Sequence, residues 1–153
     1  MTIEKIELLR EEVANLRSAA SHLEYSLNRC QNLVNQAGWS MEELERLESL
    51  TSRFARLSDL MIQRIFRLID EIELNGGGTV LDRLFRAEKR GWSDARELIR
   101  IRELRNLIAQ EYADEKMQEI YSAVVELTPG LLQVVPQLIS YSDELVQRYL
   151  QAK

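Results

Sequence analysis

Ile3 to Gln36 reads IEKIELLREEVANLRSAASHLEYSLNRCQNLVNQ. Within it Ile6, Leu9, Val13, Leu16, Ala20, Leu23, Leu27, Cys30 and Val34 recur at alternating steps of three and four, a heptad seam over four repeats. Such a seam predicts one long helix over this stretch, burying a narrow stripe against a neighbouring helix. Cys30 lies on the stripe, as a small core residue and not a nucleophile. His22 flanks the stripe, which makes it a surface residue by position.

Outward from the seam, the remaining chain repeats the helical pattern. Gly38-Trp39-Ser40 ends the first helix, and Ser40 with Glu43 forms a capping-box pattern for the next. The second helix is expected to reach about Leu74. Its apolar positions, from Leu44 to Ile72, cover a wide arc, which predicts burial on two sides. Asp59 and Arg64 fall among them, as buried polar partners of a later helix or as surface residues. Asn75-Gly76-Gly77-Gly78 breaks the pattern. A phosphate cradle of the P-loop kind needs a strand before the glycines and Gly-Lys-Ser/Thr after them. Here a helix precedes and Thr79-Val80-Leu81 follows, so the stretch reads as an inter-helix loop.

A short helix from Val80 to about Arg90 comes next. Gly91-Trp92-Ser93 follows, with Ser93 capping a helix from Asp94 to about Tyr112. A helix from Glu115 to about Leu127 and, after Thr128-Pro129, a last helix from Leu131 to about Leu150, bent near Pro136, complete the series. Pro129 and Pro136 are the chain's two prolines, so the first 128 residues lack the strongest helix breaker. The pattern predicts an all-α antiparallel helical bundle of four to five main helices.

The 153 residues are expected to form a single domain, 1–153, large enough to bury a core without metals or disulfides. One cysteine excludes an internal disulfide and fits a reducing cytoplasm. No apolar run approaches the roughly 20 residues that span a bilayer, and no signal-peptide pattern opens the chain. A cytoplasmic protein with no membrane partner is therefore expected. No second histidine and no Cys/His cluster could build a metal site, and no cofactor is expected.

A net charge of −5 argues against a general nucleic-acid coat and gives no reason to expect DNA as a partner. Between Asp82 and Arg105, however, eight basic residues stand against five acidic ones. This segment includes Arg96, Arg100, Arg102 and Arg105. It reads either as a local patch that selects a phosphate ligand or as a solvated helix face with intrahelical ion pairs.

Its last residues open Leu104-Arg105-Asn106-Leu107-Ile108-Ala109-Gln110-Glu111-Tyr112, where distinctive polar residues interrupt an ordinary amphipathic helix. Leu98, Ile101, Leu104, Leu107 and Ile108 provide the expected buried face. Arg105 and Tyr112, seven apart, share nearly one side. Gln110 lies roughly 140° around from Arg105 on an ideal helix. A catalytic pair within one straight helix is therefore awkward, whereas a two-fold dimer would bring four such groups together. Periodicity alone equally allows an exposed polar helix end.

The stretch resembles the Arg-x4-His-x-Tyr signature of HEPN-domain proteins, and especially the HepT-type toxins paired with minimal nucleotidyltransferases. The local run Arg-Asn-x-Ile-Ala-His-x-Tyr matches here except that Gln110 stands in the histidine position. The resemblance implies an HEPN-like bundle and a homodimeric, metal-independent ribonuclease toxin whose motif lies at the dimer interface. Its RNA substrate would include transfer RNA as a candidate. It assigns phosphate binding to Arg105, an adjoining polar role to Asn106 and proton transfer to position 110, and the basic segment adds Arg96, Arg100 and Arg102 as candidate RNA contacts. It also implies a nucleotidyltransferase antitoxin that silences the toxin by transferring AMP onto Tyr112.

Glutamine neither accepts nor donates a proton at useful pH, so cleavage is expected to be impaired. Gln110 is compatible with an inactivated copy of a toxin and with a natural member that binds without cutting. It is also compatible with a non-catalytic partner subunit of a nucleotidyltransferase complex.

Overall fold

The computed structural model describes residues 2–74, 76–110 and 114–152. Every regular element among them is helical: α1 (Thr2–Cys30), α2 (Met41–Asp59), a π-helical segment (Leu60–Ile65), α3 (Phe66–Ile72), α4 (Val80–Lys89), α5 (Ala95–Ile108) and α6 (Asp114–Gln151). Cross-helix pairs give the directions. Lys5 meets Glu71, Glu12 meets Arg64 and Ser26 meets Arg53, so α1 runs antiparallel to α2–α3. Phe66 meets Trp92 and Asp59 meets Arg105, while Glu97 lies against Gly130 and Arg100 meets Glu126, so α5 opposes α2–α3 and α6 opposes α5. The long helices therefore alternate in direction, with α4 as the connector.

The seam on α1 buries Ile6, Leu9, Val13, Leu16, Leu23, Leu27 and Cys30 as expected, but Ala19 and Leu33 replace Ala20 and Val34 at its core. A straight helix drifts against a strict seven-residue repeat, which brings Ala19 in at mid-helix, whereas Leu33 lies in the turns beyond Cys30. The α-helix also ends at Cys30, short of Gln36, and hydrogen-bonded turns continue it. Trp39 Nε1 donates to the Leu33 carbonyl at 2.7 Å and holds these turns against the bundle.

Ser40 and Glu43 form the reciprocal capping box, at 3.1 and 2.9 Å. The Ser40 backbone N–H holds the Glu43 carboxyl below its ordinary range. The cap is therefore complete above that ordinary range and is lost as pH falls through the lowered Glu43 value. Ser40→Ala is expected to destabilise the protein by about 1 kcal/mol, and thermal melting would register it as a fall of about 2–4 °C.

Near the glycine break, Asp70 is only 1 % exposed. It accepts from Arg86 at 2.9–3.0 Å and from Arg90 at 2.7 Å. Arg90 also reaches Glu73 at 3.1 Å, and Tyr141 of α6 donates to the same Glu73 oxygen at 2.5 Å. Trp92 packs edge-on against Tyr141 and tilted on Phe66, covering this polar knot. Gly91, at φ +82°, ends α4 and directs the chain toward α5, a backbone state that costs glycine little.

The expected break at Thr128-Pro129 is absent: α6 runs unbroken through Pro129 and Pro136. Both prolines lie on the exposed side, where a carbonyl that loses its helical donor can turn to water. The opposite side buries Val124, Leu127, Leu131, Val134 and Leu138. At about 1.5–3 kcal/mol per buried apolar side chain, that packing offsets the roughly 3 kcal/mol cost of each internal proline. The segment Lys116–Gln151 is also long and apolar enough to cross a membrane by length and composition, contrary to the expectation that no run approaches that length. Of its most apolar window, 39 % is buried in the bundle, and a core helix meets the same criterion.

Candidate functional site

The stretch that carries the motif begins differently from the sequence expectation. Asp94, not Ser93, caps α5, accepting from the Arg96 backbone N–H at 2.8 Å. Leu98, Ile101 and Leu104 are buried and Ile108 partly so, but Leu107 is 42 % exposed. The helix then stops at Ile108, before Gln110. Gln110 sits in the closing turn, where its backbone N–H donates to the Leu107 carbonyl at 3.1 Å. The angle between Arg105 and Gln110 on an ideal helix therefore does not govern their placement. Tyr112 lies outside the described residues.

Arg105 reaches across to Asp59, at the junction of α2 with the π segment, in a two-pronged pair of 2.5 and 2.8 Å. Hydrogen bonding to Asp59 raises the Arg105 pKa, so the guanidinium is charged at any ordinary pH. The pair uses Nε and Nη2 on one edge of the fork and leaves the other edge for a ligand.

A groove of about 340 Å3 opens beside it, between the π segment and α5. Its polar lining is Ser58, Asp59, Gln63, Arg64, Arg102, Arg105 and Asn106. Three guanidinium groups face one carboxylate there. Arg64 is tethered only loosely, 3.7 Å from the nine-tenths buried Glu12 carboxylate. A π turn admits one extra residue per turn and is a frequent device at functional sites. Here it presents Asp59, Gln63 and Arg64 together toward α5.

The basic segment does not form one patch. Arg102 and Arg105 line this groove with Asn106, whereas Arg96 and Arg100 line another, against α6. Nine residues separate Arg96 from Arg105, which is half a revolution on a 3.6-residue helix. Arg100 is paired there with Glu126 at 3.2 Å and Glu97 at 3.8 Å, which is the solvated-face arrangement for that half of the segment.

The groove sets three guanidinium groups against one carboxylate, an excess of positive charge. Its lining contains no group that exchanges a proton near neutral pH. Histidine occurs once, as exposed His22 on α1, with its carbonyl engaged by Arg53 at 3.2 Å. Cys30 is buried, and burial pushes its thiol pKa up, against any nucleophilic role. Of the two residues the sequence offered either as polar partners of the motif helix or as surface residues, Asp59 does pair with that helix, through Arg105, 46 residues away, and it is half-buried. Comparison with protein-family models, with curated proteins and with solved structures gave no match.

Proposed function

We propose that this chain is an HEPN-type subunit of a toxin–antitoxin pair that binds RNA at the Arg105 groove and cleaves it poorly or not at all. The observation that carries this reading is Arg105, braced by Asp59 beside Arg64, Arg102 and Asn106. This is the arginine of the Arg-x4-His pattern, held rigidly and facing an anion-sized groove. A braced guanidinium loses little freedom on meeting a phosphate oxygen, and its unused edge can form charge-assisted bonds. Gln110 stands outside the groove's lining, and with it in place of histidine the chain would keep the electrostatic part of the chemistry and lack the proton-transfer part. The active relative would be a metal-independent homodimeric ribonuclease, with a nucleotidyltransferase antitoxin acting on Tyr112.

Gln110 also favours a second reading, a partner subunit of a nucleotidyltransferase complex that never cleaves RNA. That reading predicts stable association with the transferase whichever residue stands at 110.

Fluorescence anisotropy with a short single-stranded RNA tests the binding. Arg105→Ala is expected to weaken it by about 10–100-fold, from the roughly 1.5–3 kcal/mol of a charged hydrogen bond. The same change should lower the salt slope by about one. Arg96→Ala, on the opposite side of α5, should change affinity several-fold less. Equal losses for the two variants, or no RNA binding by the parent chain, would remove the groove from the argument.

A further inference from the structure

The glycine break between α3 and α4 closes over a second cluster of guanidinium groups, away from the motif. Arg67 on α3 and Arg83 and Arg86 on α4 line a cavity of about 250 Å3, together with Asp70, Glu71 and the glycine loop. Around it five cations, Arg67, Arg83, Arg86, Arg90 and Lys5, stand against four carboxylates, Asp70, Glu71, Glu73 and Asp82, an excess of one positive charge. The single Asp70 charge is shared between Arg86 and Arg90, and Glu71 is shared between Arg67 at 3.1 Å and Lys5 at 3.7 Å. Arg83 donates to the Ile62 carbonyl at 3.0 Å and makes no ion pair among the described residues. Burial lowers its pKa, with Arg67 and Arg86 adding to the effect against the pull of Asp70. An incoming anion would relieve that crowding.

The loop is suited to such a visitor. Gly77 and Gly78 stand at φ +102° and +78°, backbone states that favour glycine; beside Gly77 there is open space, and the Asp82 carboxylate lies against Gly78. Arg86 is already positioned by Asp70 and by the Gly77 carbonyl, at 3.3 Å. Preorganised guanidinium forks match the oxygens of a phosphate group in geometry and in hydrogen-bond donors.

We propose that this cavity binds a phosphate dianion, free or as a phosphomonoester, between Arg67, Arg83 and Arg86 beneath the glycine loop. It is a different device from a P-loop, because side chains carry the charge and no strand precedes the glycines. The cavity shares no lining residue with the Arg105 groove, so the inference stands apart from the RNA reading.

Calorimetry and amide NMR on the full chain test it, with inorganic phosphate, uridine 5′-monophosphate and uridine at constant ionic strength. Saturable phosphate binding is expected with Kd below about 1 mM, with shifts at the Gly77 and Gly78 amides, and no binding of uridine. Tighter binding of the nucleotide than of inorganic phosphate assigns an organic phosphomonoester; equal binding assigns free phosphate. Arg83→Gln is expected to weaken binding by more than about tenfold and Arg67→Gln by about tenfold, each replacing one charged phosphate contact. Arg102→Gln, in the other groove, should leave the phosphate-induced shifts of the Gly77 and Gly78 amides unchanged. Arg67 is 64 % exposed, so its variant should fold even if Arg83→Gln does not. Absence of saturable phosphate binding, or binding that a folded Arg67→Gln variant leaves unchanged, overturns the proposal.

Discussion

Gln110→His is expected to raise metal-free cleavage of total transfer RNA by about 10²–10⁴-fold over the parent chain, the usual contribution of a positioned general acid or base. Position 110 follows the end of α5, in a turn one step beyond Arg105 and Asn106. An imidazole there would be exposed and able to exchange a proton near its unperturbed pKa of about 6.5. The reaction needs a group that takes the proton from the ribose 2′-hydroxyl as it attacks the adjacent phosphodiester. It also needs a cation for the charge developing on the phosphate oxygens, the role the proposal gives to Arg105. Cleavage by the histidine form should disappear again on adding Arg105→Ala, because the proposed chemistry needs both groups at one phosphate. Quantifying fragments on a denaturing gel in the presence of a chelator separates the outcomes. If the histidine form binds RNA but does not cut it, the ribonuclease reading fails and the partner-subunit reading takes its place.

Asp70→Ala should cost about 3–5 kcal/mol of stability, the penalty for removing one partner of a buried ion pair. The carboxylate is 1 % exposed and accepts from two arginines. Without it, the Arg86 and Arg90 guanidinium groups would face each other with only Glu73 nearby, and Arg90 is itself 11 % exposed. Thermal melting should then shift by on the order of 10 °C for a domain of this size. Replacing the exposed Glu126, which pairs with Arg100 at the surface, should move stability by no more than about 1 kcal/mol. Equal effects of the two substitutions would show that the Asp70 knot is not what fastens α4 to the bundle.

Most of the helical plan was legible because it is local. The seam from Ile6 to Cys30, the Ser40–Glu43 cap and the short helix after Thr79 each follow from side chains a few residues apart. The misjudged points are those where distant packing overrules a local preference. Proline at 129 should interrupt a helix, yet α6 continues because its other side is buried over several turns. Leu107 continues an apolar spacing, yet no neighbouring helix covers it near the end of α5. The basic segment was visible as charge, but only its helical phase in the folded chain separates Arg102 and Arg105 from Arg96 and Arg100.

The sequence by itself determined that the chain is all-α and bundled, and it singled out the Arg105 stretch as chemically distinct. Those properties depend on periodicity and residue type over a few turns, where a neighbour in sequence is a neighbour in space. The tertiary structure alone decided that Asp59 braces Arg105, that Asp70 draws Arg86 and Arg90 together, and that Arg67, Arg83 and Arg86 converge under a glycine loop. Such pairings join residues 16 to 46 positions apart. Helix direction and the π turn set them, and neither leaves a periodic trace in the residues that meet.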